Sequence, residues 1–219
     1  MTDPAQYGDV GVVLITRNEE AAIGKVLTDI GRALPGANIY VVDDSDDRTA
    51  EIAASLGAVV SAGPRRGFGP AMHQALMTPT EPIVATIDAD DTYPTDAFPA
   101  LVALIREGFD VAGTDRLGKR RPPTMPRSNY LANWFFSMIA TVRAHQRIRD
   151  VHSGQRAYSR DLLHGVSWRF DMDAFPIDLI FVPAILGFRV TEVWIDYRER
   201  VGVTTLDRWS SGKASLRRR

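Results

Sequence analysis

The sequence predicts an α/β protein with a mostly parallel central sheet and helices on both faces, on three observations. Between residues 10 and 114, short apolar, β-rich runs alternate with stretches of helical period. The runs are apolar without alternation, as strands buried on both faces are. Two of them break off into clustered carboxylates ahead of a helix, the order of a strand, loop and helix unit.

At 219 residues, 45% hydrophobic and 24% charged, the chain has the bulk of a globular protein. The expected organisation is one domain over 1–219. Residues 1–114 form a ligand-holding half, 115–200 a second half and 201–219 a basic, flexible tail. The absence of cysteine excludes a disulfide framework, a thiolate metal site and a cysteine nucleophile, and fits a reducing, cytoplasmic setting. The first ten residues lack the regions of a signal peptide, and no run approaches the roughly 18 apolar residues of a membrane span. Residues 1–100 hold 15 acidic and 6 basic residues, whereas 101–219 hold 12 and 20. An acidic half suits a metal ion, and a basic half suits phosphates or an anionic surface. The basic residues are scattered among apolar helices without a nucleic-acid module, so no nucleic-acid partner is expected.

Val10–Ile15 is a continuous apolar run and the first strand. Thr16-Arg17-Asn18-Glu19-Glu20 follows as a loop. Ile23, Val26, Leu27, Ile30 and Leu34 then recur at helical spacing until Pro35-Gly36 ends the helix. Ile39–Val42 is a second strand, ending in Asp43, Asp44, Asp46 and Asp47 before a helix over Thr49–Leu56. Ala58–Ser61 is a short third strand. Gly63-Pro64-Arg65-Arg66-Gly67-Phe68-Gly69 then leads into a helix over Pro70–Met77. Glycines and arginines ahead of a helix N-terminus can cradle a phosphate, since free backbone N–H groups and the dipole favour an anion. A surface loop with two solvated arginines fits the same residues.

Ile83–Ile87 is the strand around which the rest is organised, and it stops at Asp88, Asp90 and Asp91. A buried strand that ends in carboxylates delivers them to the sheet's carboxyl edge, where open α/β sheets bind ligands. Asp88 and Asp90 are two apart and point the same way if the extended geometry persists, while Asp91 turns to the other side. Like charges so placed repel unless a cation lies between them. Hard oxygen donors suit Mg²⁺ or Mn²⁺ shared with substrate phosphates, so the expected ligand is a nucleoside diphosphate with its metal. A plain turn, with an aspartate capping the helix that begins near Thr95, is the other reading of this string.

Phe98–Ile105 reads as an amphipathic helix and Asp110–Gly113 as a strand. No Gly-x-Gly-x-x-Gly follows the first strand, which counts against a dinucleotide-binding oxidoreductase. From Asp115 the chain becomes a basic, proline-broken loop with Arg116, Lys119, Arg120 and Arg121. Arg127–Arg149 then reads as a helix with Leu131, Trp134, Phe135, Met138, Ile139 and Val142 along one side. Packing inside is the expectation for such a stripe. Lying in a membrane interface, with arginines on lipid phosphates, is the other placement that fits. Asp150–Arg156 precedes a short strand, Ala157–Ser159. Phe175–Leu186 is an apolar helix carrying Asp178 and interrupted by Pro183, and Val190–Tyr197 is an alternating strand.

Seven segments, ITRNEE, YVVDDSDDRTAEIA, RRGFGPAMHQAL, TIDADDTYP, VAGTDR, DVHSGQRAYSR and EVWIDYRERVG, together resemble the inverting family 2 glycosyltransferases of the GT-A fold. Within that family the resemblance is greatest to the dolichol- or polyprenyl-phosphate sugar transferases. It implies metal-dependent transfer of a hexose from a nucleotide sugar of the GDP-mannose or UDP-glucose type to a polyprenyl or dolichyl phosphate. It places Glu19 and Asp43 or Asp44 on the nucleoside, and Asp88 and Asp90 about the Mg²⁺ or Mn²⁺ and the diphosphate. Arg116, Arg127, Arg156 and Arg200 match positions near the two phosphates. Asp88, Asp90, Arg127 and Arg200 make the expected catalytic set, Arg66 joins the nucleotide-sugar contacts, and Asp150 and Asp178 are acceptor-side candidates.

Thr92 stands where this branch often has glutamine, and Thr204-Thr205 where it has Ser-Lys. A hydroxyl acceptor needs a base, for which Asp150 is the candidate. A phosphate monoester, with a second pKa of about 6, needs none. Two other readings are a soluble hydroxyl acceptor on the same fold and a nucleotide-sugar-binding subunit without turnover. A lipid acceptor implies a peripheral protein at the cytoplasmic face of a membrane, with a homo-oligomer or a separate membrane-anchoring subunit as further partners.

Overall fold

The computed structural model describes residues 6–118, 121–123, 125–170 and 175–199. Its centre is a seven-stranded sheet in the order β3-β2-β1-β4-β6-β5-β7. The strands are β1 Val10–Thr16, β2 Asn38–Asp43, β3 Val59–Ala62, β4 Ile83–Thr86, β5 Val111–Asp115, β6 Arg156–Ser159 and β7 Val190–Trp194. Strands β3, β2, β1 and β4 are mutually parallel, with Val12 opposite both Ile39 and Ala85. Strand β6 runs antiparallel between β4 and β5, and β7 is parallel to β5. The mostly parallel α/β sheet expected from the sequence is present.

The helices are α1 Ile23–Ala33, α2 Thr49–Ser55, α3 Phe68–Met77, α4 Phe98–Arg106, α5 Arg127–Ala144, α6 Arg160–Gly165 and α7 Phe175–Ile185, with a 3₁₀ turn at Thr95–Ala97. One sheet face packs Val10, Val12 and Leu14 against Ile23 and Ile30 of α1 and Phe98 and Leu101 of α4. The other packs Val13, Val84 and Val111 against Met72 and Leu76 of α3 and Leu179 and Ile180 of α7. Central strands so covered have no polar face, which is why they read as continuous apolar runs.

Helices α3, α5 and α6 differ from expectation. Helix α3 begins at Phe68, released by Gly67 at φ 92°. Helix α6 was not expected from the sequence; Ser159 caps it by accepting the Leu162 N–H. Helix α5 ends at Ala144 instead of Arg149, because His145 turns left-handed at φ 52°. Helix α5 also reverses the packed placement expected of it. Its buried residues are the small Ser137, Ala140 and Ala144, whereas Leu131, Trp134, Phe135, Met138 and Val142 of the stripe are exposed and Ile139 is half-buried.

The strand order reverses between β1 and β4, which creates a crevice at their carboxyl ends of the kind that binds ligands in open α/β sheets. Because β6 alone runs the other way, its amino end opens on that same edge. The loops after β1, β2, β3, β4, β5 and β7 and the loop before β6 therefore meet there.

Candidate active site

Strand β4 leaves the sheet at Thr86, whose hydroxyl donates to the Gly154 carbonyl at 2.9 Å. The next carboxylate, Asp88, lies against Gly154. A Cβ at that glycine would stand 2.6 Å from Asp88 Oδ1, so only glycine leaves the carboxylate its place. Asp90 is buried, and its Oδ1 accepts the Thr92 hydroxyl at 2.6 Å and the Thr92 N–H at 3.2 Å. Asp91 adopts φ 60° and turns away to α1, where Lys25 Nζ is 2.8 Å from its Oδ1. Such backbone angles cluster where a local arrangement is held by its surroundings. Here they separate Asp91 from Asp88 and Asp90.

At the ends of β1 and β2 the two loops are zipped together. Thr16 and Ser45 hydroxyls donate to Asp43 Oδ1 at 2.5 and 2.6 Å. Asn18, at φ 58°, donates its N–H to Ser45 and accepts from the Asp46 N–H at 2.9 Å. The Glu19 N–H donates to the Thr49 hydroxyl at 2.9 Å, which puts Glu19 beside the start of α2. Asp44 folds the other way, its two oxygens accepting the Arg65 N–H at 3.0 and 3.1 Å. Asp43 and Asp44 thus fix loop geometry, and Asp44 ties the β2 end to the glycine-arginine loop that carries exposed Arg66.

Beyond β5 the structure holds a buried ion pair. Arg116 Nε donates to Asp150 Oδ2 at 2.6 Å and its Nη2 to Oδ1 at 2.9 Å. The Arg116 backbone N–H adds a third bond to Oδ2 at 3.2 Å. Burial alone would raise the Asp150 pKa, but the Arg116 charge and its hydrogen bonds overcome this and hold it below the usual range. Arg116 also lies over the Tyr197 ring at 5.2 Å, and Tyr197 meets Tyr93 edge-on at 5.1 Å. The Tyr93 hydroxyl accepts the Gly154 N–H at 2.7 Å, which closes the ring of contacts back to Asp88. Burial raises the Tyr93 and Tyr197 pKa values, so both hydroxyls stay neutral.

Behind this pair, the Glu192 carboxylate of β7 accepts the N–H groups of Arg149 and Asp150. Desolvation, with Asp150 and Asp115 nearby, pushes the Glu192 pKa up to about 7. His152 moves the other way. Its burial outweighs the pull of Asp150 and lowers its pKa to about 4, so the ring is neutral at physiological pH.

The sequence-derived candidates therefore divide. Asp88, Asp90, Glu19, Asp43, Asp44 and Arg66 gather on the loops at the carboxyl edge. Arg127 is exposed at the head of α5. Arg116 stands at that edge as the buried partner of Asp150, so its fork is engaged by protein. Asp150, the base candidate for a hydroxyl acceptor, is engaged in that pair. Arg156 is 2% exposed, and its Nη1 and Nη2 donate to the carbonyls of Pro176 and Val151 at 2.7 Å each. Arg156 therefore stands at the amino end of β6 with its fork engaged by backbone carbonyls, and Asp178 is buried on the first turn of α7. Arg200, Thr204 and Thr205 lie outside the described residues. Tyr93, Tyr197 and Glu192 were not singled out from sequence; the signal available was an aromatic or acidic residue inside two of the landmark segments.

Among the described residues no three histidine, aspartate or glutamate side chains are grouped to hold a metal ion unaided. Asp88 and Asp90 supply hard oxygen at one strand end. That set fits Mg²⁺ or Mn²⁺ taking its other ligands from substrate phosphate and water.

Residues 11–166 match the family described as Glycosyl transferase family 2. The chain is 42% identical over 209 residues to a dolichyl-phosphate hexose transferase of Haloferax volcanii, covering 95% of this chain and 91% of that protein. It is 27% identical over 205 residues to an undecaprenyl-phosphate mannosyltransferase of Micrococcus luteus, covering 86% and 83%. In fold it is similar to the crystal structure of glucosyl-3-phosphoglycerate synthase from Mycobacterium tuberculosis in complex with Mn²⁺, UDP and phosphoglyceric acid. The TM-score is 0.71 at 23% identity, over 94% of this chain and 74% of that one. With the strand order, the carboxylates at the end of β4 and these matches in agreement, the chain belongs to glycosyl transferase family 2 and is a glycosyltransferase of the GT-A fold.

Proposed function

We propose that the protein transfers a hexose, with inversion, from a nucleoside diphosphate sugar to a polyprenyl phosphate at the cytoplasmic face of a membrane. The observation that carries this reading is the Arg116–Asp150 pair. A hydroxyl acceptor must lose a proton during attack, and the carboxylate best matched to that task is buried and held as an anion by Arg116. A phosphate monoester is already ionised near neutrality and needs cations to hold it instead of a base. Arg66 is exposed on the loop after β3 and Arg127 at the head of α5, and Arg200 is proposed to act with Arg127 on the acceptor or diphosphate oxygens. The dolichyl-phosphate and undecaprenyl-phosphate transferases of Haloferax and Micrococcus to which the chain is similar support the same acceptor class.

Glu19 and Asp43 would border the nucleoside where the β1 and β2 loops are zipped. Asp88 and Asp90 would hold Mg²⁺ or Mn²⁺, which when bound neutralises charge growing on the departing diphosphate. Tyr93 and Gly154 keep Asp88 in place, and Thr92 orients Asp90.

The test supplies radiolabelled GDP-mannose, UDP-glucose and UDP-N-acetylglucosamine with polyprenyl phosphate and Mn²⁺. Label is expected to enter the organic phase from one of these donors. Asp90→Ala should abolish that transfer. Arg127→Lys should slow it about tenfold or more, because lysine cannot reproduce the arginine fork on two phosphate oxygens. Label passing to a soluble hydroxyl acceptor, with none on the lipid, would overturn the reading.

A further inference from the structure

Helix α5 is built inside out. Ser137, Ala140 and Ala144 face inward, while Leu131 (62%), Trp134 (53%), Phe135 (48%), Met138 (42%) and Val142 (67%) are exposed. At the helical repeat these five fall within an arc of about 100° running along about three turns. A helix on the surface of a water-soluble domain places such a stripe against its core. An apolar strip left outward marks a surface that something else covers. Exposed Ile185 and Leu186 at the end of α7 extend it. They sit beside the end of α5, where the Gln146 side chain donates to the carbonyls of Ala184 and Phe188 at 3.1 and 2.7 Å.

Charge indicates what the covering surface is. From Arg127 to Arg149 the chain carries four arginines and no acidic residue. Arg127 precedes Leu131 by one turn at the head of the stripe, and Arg143, Arg147 and Arg149 follow its tail. A second copy docked through this strip about a two-fold axis would bring arginines against arginines. An apolar strip with a central tryptophan and cations at both ends instead matches a helix lying in an anionic lipid interface. There the aromatic ring sits at headgroup level and the arginines reach phosphates.

We infer that α5 is the element that seats this protein on an anionic bilayer, with its axis in the membrane plane and its stripe sunk to the acyl boundary. The inference deepens the polyprenyl-phosphate reading and rests on it for its purpose. Helix α5 begins after the loop that leaves β5 at the site edge, so docking it holds that edge at the depth where a lipid phosphate presents its head group.

The experiment sediments the full chain with vesicles of phosphatidylglycerol and phosphatidylcholine, and with vesicles of phosphatidylcholine alone. The parent is expected to bind the anionic vesicles and to be released by salt. Leu131→Glu combined with Met138→Glu should weaken binding about a hundredfold, since each exchange removes one apolar group from the layer. The melting temperature and the nucleotide response should be unchanged, because both positions are exposed. Brominated lipids should quench the parent more than Trp134→Phe. A double variant that sediments like the parent, or a parent that stays in the supernatant, would overturn the inference. So would a dimer that the double variant dissociates, which would assign the strip to a second copy. If vesicles bind the parent but no label reaches polyprenyl phosphate, the acceptor reading fails and the docking stands. If a short, water-soluble polyprenyl phosphate is glycosylated while vesicles are ignored, the docking fails and the acceptor reading stands.

Discussion

Asp150 takes its role from what surrounds it. Its oxygens accept two side-chain bonds and one backbone bond from Arg116 and a fourth from the His152 N–H at 3.1 Å. Breaking a buried pair by removing one charge costs about 3–5 kcal/mol, because the remaining charge stays in the interior without compensation. Asp150→Asn is therefore expected to lower the melting temperature by roughly 10 °C. Replacing both partners, Arg116→Leu with Asp150→Leu, should recover part of that loss. A single variant that melts like the parent but loses kcat would restore Asp150 to the role of a base. The sequence offers Asp150 as an acid beside Arg149 and His152, and nothing local marks a partner 34 positions away. Asp88 and Asp90 are different, since a strand ending in carboxylates announces them directly. The hydroxyl of Thr92 on Asp90 shows how the departure from glutamine is accommodated: the threonine steadies the aspartate through its own oxygen.

Elements were legible in proportion to how much of their surroundings is written into their own residues. Strands β1, β2 and β4 are buried on both faces, and their apolar runs say so. Strand β6 is four residues long, and Arg-Ala-Tyr-Ser carries no mark of direction, so its antiparallel placement comes only from its neighbours. Periodicity showed the stripe of α5 but not which way it faces, and no glycine or proline announced the break at His145. The junction of the loop before β6 with β7 also sets a pH dependence no single segment encodes. His152 has a folded pKa of about 4, below its unfolded value, so its contribution to stability is full above about pH 6.5 and is lost as pH falls towards 4. Glu192 has a folded pKa of about 7, above its unfolded value, so its contribution is full below about pH 4.3 and is lost as pH rises through 7. The two slopes oppose each other between about pH 4.5 and 6.5. Glu192→Gln is expected to steepen the acid loss in this window, by up to about 1.4 kcal/mol per pH unit. Denaturant melts of parent and variant across that range measure it, and parallel stability curves would remove Glu192 from the account.

The whole molecule sets a negatively charged strand edge to receive a negatively charged ligand. Asp43 ends β2, and Asp44, Asp46, Asp47, Asp88, Asp90 and Asp91 lie on the loops after β2 and β4. A nucleoside diphosphate alone meets this field as a like charge, and among the described residues a divalent cation alone finds too few protein ligands to hold it firmly. Each supplies what the other lacks, so the proposed function requires that they bind as one. Saturating nucleotide with Mn²⁺ at about a hundred times the dissociation constant stabilises the fold by about 2.7 kcal/mol. For a chain of this size that is a rise of roughly 5–10 °C in melting temperature. The nucleotide without metal, or Mn²⁺ without nucleotide, should each give far less, and a chelator should reverse the combined shift. Asp90→Ala should abolish the excess while leaving the unliganded melting temperature close to that of the parent. A full shift from nucleotide in the presence of chelator would show that the carboxylates at the end of β4 face the ligand without a metal, and that arginines alone hold the diphosphate.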